Sequence, residues 1–170
     1  MLYSENRRFR HQLLKAGRNL NFQEDQMPIR YDIHPGLDFL LYLFEGECSA
    51  REYFDLYHSI YLNDTRRHHG MKILMDLSSA EFYFESENLR EALAIMAGNK
   101  EEGHPRDRVA LLSKGSSMEL LTNTLKLLGA DLPMDLDIFH NSHDAVRWLG
   151  LAEQEKEVLL FLQEFTGRKK

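Results

Sequence analysis

The run Phe39-Leu40-Leu41-Tyr42-Leu43-Phe44 is apolar without a break. Successive side chains of a strand point to opposite faces, so such a run leaves no face for water. It fits a strand covered on both sides, in a central position of a sheet. His34-Pro35-Gly36 stands just before it, and Pro-Gly is a turn signal. The preceding strand-like segment, PIRYDI from Pro28 to Ile33, is therefore expected to pair with it as an antiparallel hairpin.

Beyond this hairpin the chain alternates strands and helices. Ser49 and Glu52 form a capping box ahead of an apolar helical stripe of Tyr53, Leu56, Tyr57, Ile60 and Tyr61. A strand is expected at Met71–Leu77 and a helix from about Ser86 to Ala97, with Leu89, Leu93 and Met96 on its core face. A strand at Val109–Leu112 follows, then a second capping box (Ser116 and Glu119) opening a helix through Leu128. The last strand is Met134–Phe139. Asn141 or Ser142 caps a helix through Leu149, and a final helix at about Ala152–Phe165 places Val158, Phe161, Leu162 and Phe165 on one face. This order predicts an α/β fold: a mostly parallel sheet of about five strands, one antiparallel edge strand, and helices packed on it. The chain divides into a basic leader (1–26), an α/β domain (27–150), and a C-terminal helix with a basic tail (151–170).

At 170 residues, 43% of them hydrophobic, the chain can bury a core without staples. Cys48 is the single cysteine, so no internal disulfide forms, which fits a reducing compartment. No apolar run approaches the roughly 20 residues of a membrane span, and the N-terminus has no apolar signal core. The expected location is the cytoplasm. Charge is uneven: residues 1–23 carry Arg7, Arg8, Arg10, Lys15 and Arg18 against Glu5, a net +4, which leaves −10 for the rest of a chain of net charge −6. Such an acidic body repels phosphates and argues against nucleic acid as the main partner. In the leader Phe9, Leu13, Ala16 and Leu20 recur at helical spacing, which reads as a short helix lying on the protein's own acidic body. The alternatives are a peripheral membrane helix or a partner-binding helix, for which four apolar positions make a weak anchor.

Ligands of open α/β sheets bind beyond the carboxyl ends of the strands. The segments leaving the parallel strands are Glu45–Ser49, Ser78–Ser86, Ser113–Ser117 and His140–His143. They are expected to crowd one edge and to offer Ser78, Ser79, Phe82, Phe84, Glu85, Ser86, Lys114, Ser116, Ser117 and His140 to a ligand or partner. Ser113–Ser117 opens a helix, where free N–H groups and Lys114 favour anions, but it lacks the spacing of a P-loop. His140-Asn141-Ser142-His143-Asp144 has His-x-x-His spacing, yet no third or fourth ligand is fixed, so caps explain it better than zinc. No metal or cofactor is expected. A serine hydrolase would need a nucleophile elbow of the GxSxG type, which is absent from the sequence.

The phrases MPIRYDI, LLYLFEGE, ILMDLSSAEF and LPMDLDIFHNSHDAVRWL, in this order of elements, resemble the STAS fold of anti-sigma-factor antagonists. The likeness is nearest to the SpoIIAA-like family of small bacterial STAS/SEC14-like proteins, and it runs from residue 28 to 149. In the antagonists, a strand–loop–helix unit ends in Asp-Ser-Ser-Gly, whose first serine is phosphorylated. Laying Asp76-Leu77-Ser78 on that unit puts Phe84 on the aspartate, Glu85 on the modified serine, Ser86 on the next serine and Glu87 on the glycine. The phrase is broken at Glu85, and a slip of one residue brings Ser86 into the modified position.

The resemblance implies a non-enzymatic regulatory or interaction domain that binds a protein partner, or a small apolar or anionic ligand, at the strand C-terminal edge. The alternative, from the SEC14 side, is a carrier or sensor of a lipid or other apolar molecule. A homodimer through the antiparallel edge strand is a further expectation.

Overall fold

The computed structural model describes residues 28–83, 104–115 and 134–167. Strands β1 (Ile29–His34), β2 (Phe39–Ser49), β3 (Lys72–Tyr83), β4 (Asp107–Leu112) and β5 (Met134–Phe139) form one sheet in the order β1-β2-β3-β4-β5. β1 is antiparallel to β2, and every later pair is parallel. Helix α1 (Ala50–Asn63) follows β2; α2 (Ser142–Trp148) and α3 (Glu155–Thr166) follow β5. The expected mixed α/β sheet is therefore the fold. The helices expected over 86–97 and 118–128, the second capping box and the basic leader lie outside the described residues.

The alternation along β2 divides the core. Leu40, Tyr42 and Phe44 face one side with Ile33, Ile73, Met75 and Val109, where Ile60 of α1 packs. Phe39 and Leu41 face the other with Leu74, Ala110, Val146, Val158 and Leu162, brought by α2 and α3. All six residues from Phe39 to Phe44 are at most 1% exposed. Burial of side chains this large is worth about 1.5–3 kcal/mol each, so β2 is the strand around which both layers assemble.

One correction concerns the ends of β2 and β3. Glu45–Ser49 is not a loop but the end of β2, and Ser78–Tyr83 continues β3. Their register runs on through Glu45↔Ser79, Cys48↔Phe82 and Ser49↔Tyr83, after an irregularity between Leu43 and Glu45. The apolar run stops at Leu77, so hydrophobicity alone marks the end of the buried part and not the end of the hydrogen-bonded ladder. β4 pairs with β3 only as far as Asp76, so the β2–β3 ribbon projects past the rest of the sheet.

At the opposite edge the loop before β3 is tied down at two points: Arg67 is buried against Asp107, and His69 is half-buried beside the Tyr61 hydroxyl, while His68 is exposed. Gly70 turns the chain into β3 with φ +82°, and a side chain there would collide with Pro105, 2.8 Å from its Cγ. Only glycine meets both demands comfortably. The final helix also begins later than expected, at Glu155, because Leu151 to Gln154 make a turn in which Gln154 N–H donates to the Leu151 carbonyl.

Candidate functional site

β4 and β5 end side by side, next to the middle of β3. Asp76 of β3 is in register with Leu112 of β4, which is in register with Phe139 of β5. The residues just beyond them hold polar side chains. Asp76 is buried, and its Oδ1 accepts from the Ser78 backbone N–H (2.9 Å) and hydroxyl (2.5 Å). Ser113, also buried, donates its N–H to the Phe139 carbonyl at 3.0 Å, so β4 and β5 stay joined one residue past the strand end. The His140 ring follows, its Nδ1 3.0 Å from the Ser113 carbonyl. A carbonyl only accepts, so Nδ1 is the protonated nitrogen here. The Ser113 hydroxyl accepts from the Gly115 N–H at 3.3 Å, which folds the next turn back and leaves Lys114 exposed.

The ends of β4 and β5 thus bring Lys114 and His140 to the edge beside Ser78 of β3, next to the buried Asp76 and Ser113. Ser79 is exposed on the β2–β3 ribbon opposite Glu45, and Phe82 is in register with Cys48 farther along it. Phe84, Glu85, Ser86, Ser116 and Ser117 lie outside the described residues, and with them the proposed switch serine. Cys48 is turned into the core, 1% exposed, with its Sγ near the carbonyls of Pro28 and Glu45. Burial pushes its thiol pKa up, the reverse of what a nucleophile needs.

Each histidine of the His-x-x-His pair has its own partner. His140 sits on the Ser113 carbonyl, whereas His143 Nδ1 is 2.5 Å from Glu155 Oε1, across the joint between α2 and α3. Arg147 shares that carboxylate at 3.0 Å, and these two contacts hold the Glu155 pKa below its usual range. Asn141 is the cap of α2, its Oδ1 accepting from the Asp144 N–H at 2.9 Å. The motif therefore does helix-end work. In β5, Asp135 is exposed and accepts from Arg106 Nε at 2.9 Å.

Sequence reasoning overlooked two residues of this edge. Asp76 enters the sequence reading as a strand residue and through the Asp76-Leu77-Ser78 phrase, not as a site residue, although a carboxylate placed two residues before a serine is the pattern of a local side-chain cap. Ser113 was read as the start of a loop, and its burial depends on β5, which sequence spacing cannot place.

A second concavity lies on the other side of the sheet. It is an open groove of about 460 Å³ where the end of β1 meets α3, with His34, Leu160 and Phe161 along it and Glu153, Glu157 and Glu164 around it. His34 packs edge-on against Phe161 at 5.0 Å between ring centres and lies 3.4 Å from Glu157. An acid-rimmed groove of this kind differs from the enclosed apolar cavity a lipid carrier needs. Among the described residues no helix is long and apolar enough to cross a membrane.

No family model matches the chain, and no curated protein matches it significantly. The fold is similar to that of a solved structure, described as an uncharacterized protein from the DUF3478 family with a SpoIIAA-like fold from Shewanella loihica PV-4. The two share 17% identity and a TM-score of 0.48, over 71% of this chain and 91% of that one.

Proposed function

We propose that this chain is a non-enzymatic, STAS-like interaction domain, and that its partner or ligand meets the carboxyl ends of β3, β4 and β5. One observation carries the reading: Ser78, Lys114 and His140 share one edge with two buried polar groups, Asp76, which holds the Ser78 hydroxyl, and Ser113, whose carbonyl meets His140. Burying a carboxylate and a hydroxyl costs stability unless each is hydrogen-bonded, and here local serine, backbone and glycine contacts fix them. The result is two fixed, buried polar groups close in sequence and register to an exposed ammonium and imidazole. That arrangement suits an acidic partner surface or a small anion. The projecting β2–β3 ribbon, with Ser79 exposed on it, forms the wall of the same edge.

The test is native mass spectrometry of the protein purified from its own cells. It should show excess mass that disappears on denaturation, and Lys114→Glu should lower its occupancy about tenfold through charge reversal at the contact. Equal retention by Lys114→Glu and His140→Ala would place the partner elsewhere.

A further inference from the structure

We infer that the groove between β1 and α3 is the docking surface for the chain's own N-terminal segment, residues 1–26. The groove presents an unusual pairing of features. Leu160, which lines it, is 49% exposed, one of the few large hydrophobic side chains left in water among the described residues. Around it stand Glu153, Glu157 and Glu164, and Lys156 is the sole fixed cation among the lining residues. Neither the Glu153 nor the Glu164 carboxylate has an ion-pair partner among the described residues. An apolar seat ringed by uncompensated carboxylates calls for a cationic, amphipathic occupant.

Residues 1–26 have that chemistry. Phe9, Leu13, Ala16 and Leu20 repeat at helical spacing among Arg7, Arg8, Arg10, Lys15 and Arg18. Against Glu5, Glu24 and Asp25 the segment keeps a net charge of +2, with its cations concentrated in residues 7–18. The tether is also short. β1 and α3 run in opposite directions side by side, since Arg30 lies over the Phe165 ring at 5.3 Å while His34 meets Phe161. The described chain therefore starts, at Pro28, beside the C-terminal end of α3. Residues 7–20 as a helix would measure roughly 21 Å, enough to span the roughly 15 Å from residue 155 to 164 along α3. The seven residues from 21 to 27 reach at most roughly 24 Å, enough to turn back onto the groove. A tether of that length gives an effective concentration on the order of millimolar, so even a weak contact is occupied.

Zero-length carbodiimide coupling of the full chain tests this, because it joins an amine to a carboxylate only where they touch. Lys15 is the only lysine among residues 1–26. In a mixture of isotopically heavy and light chains, links from Lys15 to Glu153, Glu157 or Glu164 are expected within single chains. Leu160→Ser and Leu13→Ser leave the coupled groups in place and should each cut the yield about fivefold, as should about 0.5 M salt. Three results would each overturn the inference: no link from Lys15 to these glutamates, a yield indifferent to both substitutions, or links joining heavy to light chains. The last would assign the groove to a second copy.

Discussion

Arg67 and Asp107 form an ion pair almost wholly withdrawn from water, their side chains 1% and 7% exposed. The second Asp107 oxygen accepts from the N–H groups of Gly70 (2.8 Å) and Met71 (3.0 Å), and the Arg67 guanidinium lies 5.1 Å from the centre of the Tyr61 ring. One carboxylate thereby clamps the start of β3 to the start of β4. Removing one partner of a buried pair strands the other charge, which costs more than the pair contributes. Arg67→Met is expected to lower stability by about 3–5 kcal/mol, read as a fall in the urea midpoint at unchanged slope. A loss below about 1 kcal/mol would show that water still reaches Asp107 and that the clamp is elsewhere.

Asp64 makes stability depend on acid. Its carboxylate accepts from Arg66 Nε at 3.1 Å and Nη2 at 2.9 Å, and from the Tyr31 hydroxyl at 3.1 Å. The guanidinium hydrogen bond, more than any other contact, holds its pKa at about 2, against about 3.9 in an unfolded chain. A carboxylate whose folded pKa is depressed stabilises fully above the unfolded value, and that stabilisation is lost as pH falls through the folded one. Native protein should therefore lose stability between about pH 4 and pH 2 more steeply than Asp64→Asn. The variant should be the weaker of the two at pH 6, and their difference should shrink toward pH 2. Parallel denaturation curves across that window would remove Asp64 from the acid response.

The fold was legible because its strongest signals are local. The unbroken apolar run of β2 dictates a central strand, Pro35-Gly36 dictates the turn, and the register of β1 on β2 follows. Ser49–Glu52 and Asn141 mark helix starts through hydrogen bonds spanning three residues, a distance that sequence reports faithfully. The continuation of β3 through Ser78 and Ser79 was not legible. It is a ladder of polar residues held by pairing with β2, and no periodicity marks it. Arg67–Asp107 was hidden for the same reason, its members being 40 residues apart. At the candidate site the rule of strand ends locates Lys114 and His140, whereas the burial of Asp76 and Ser113 depends on which strands are neighbours.

The joint between β2 and α1 rests on a reciprocal cap. The Ser49 hydroxyl accepts from the Glu52 N–H at 3.2 Å and donates to Glu52 Oε2 at 2.8 Å, while Ser49 N–H donates to the same carboxylate at 2.8 Å. Ser49→Ala leaves helix N–H groups unmatched and should cost about 1 kcal/mol. Ser49→Asp keeps an acceptor in place and faces the positive end of the helix, but sets a second carboxylate beside Glu52. It should fall between wild type and Ser49→Ala in thermal midpoint. If alanine and wild type melt together, α1 is held by its buried Phe54, Tyr57 and Ile60 alone.

Tyr42 predicts a change in the opposite direction. Its side chain is 1% exposed, and its ring meets those of Tyr31, Phe44 and Tyr53 at 6.3, 6.4 and 5.5 Å. The hydroxyl oxygen is buried with no hydrogen-bond partner among the described residues, and burial raises its pKa far above the usual phenol value. A phenol exchanged from water into such a place forfeits its hydrogen bonds, a penalty of about 1–3 kcal/mol. Tyr42→Phe keeps the ring packing and removes only the unmatched group. It should raise stability by about 1 kcal/mol, or roughly 2–4 °C in Tm for a chain of this size. The gain should be the same at every pH from 5 to 9, because the phenol stays neutral throughout. A drop in Tm would mean that the hydroxyl has a partner in solution, such as an ordered water, and that the aromatic layer under α1 is built around it.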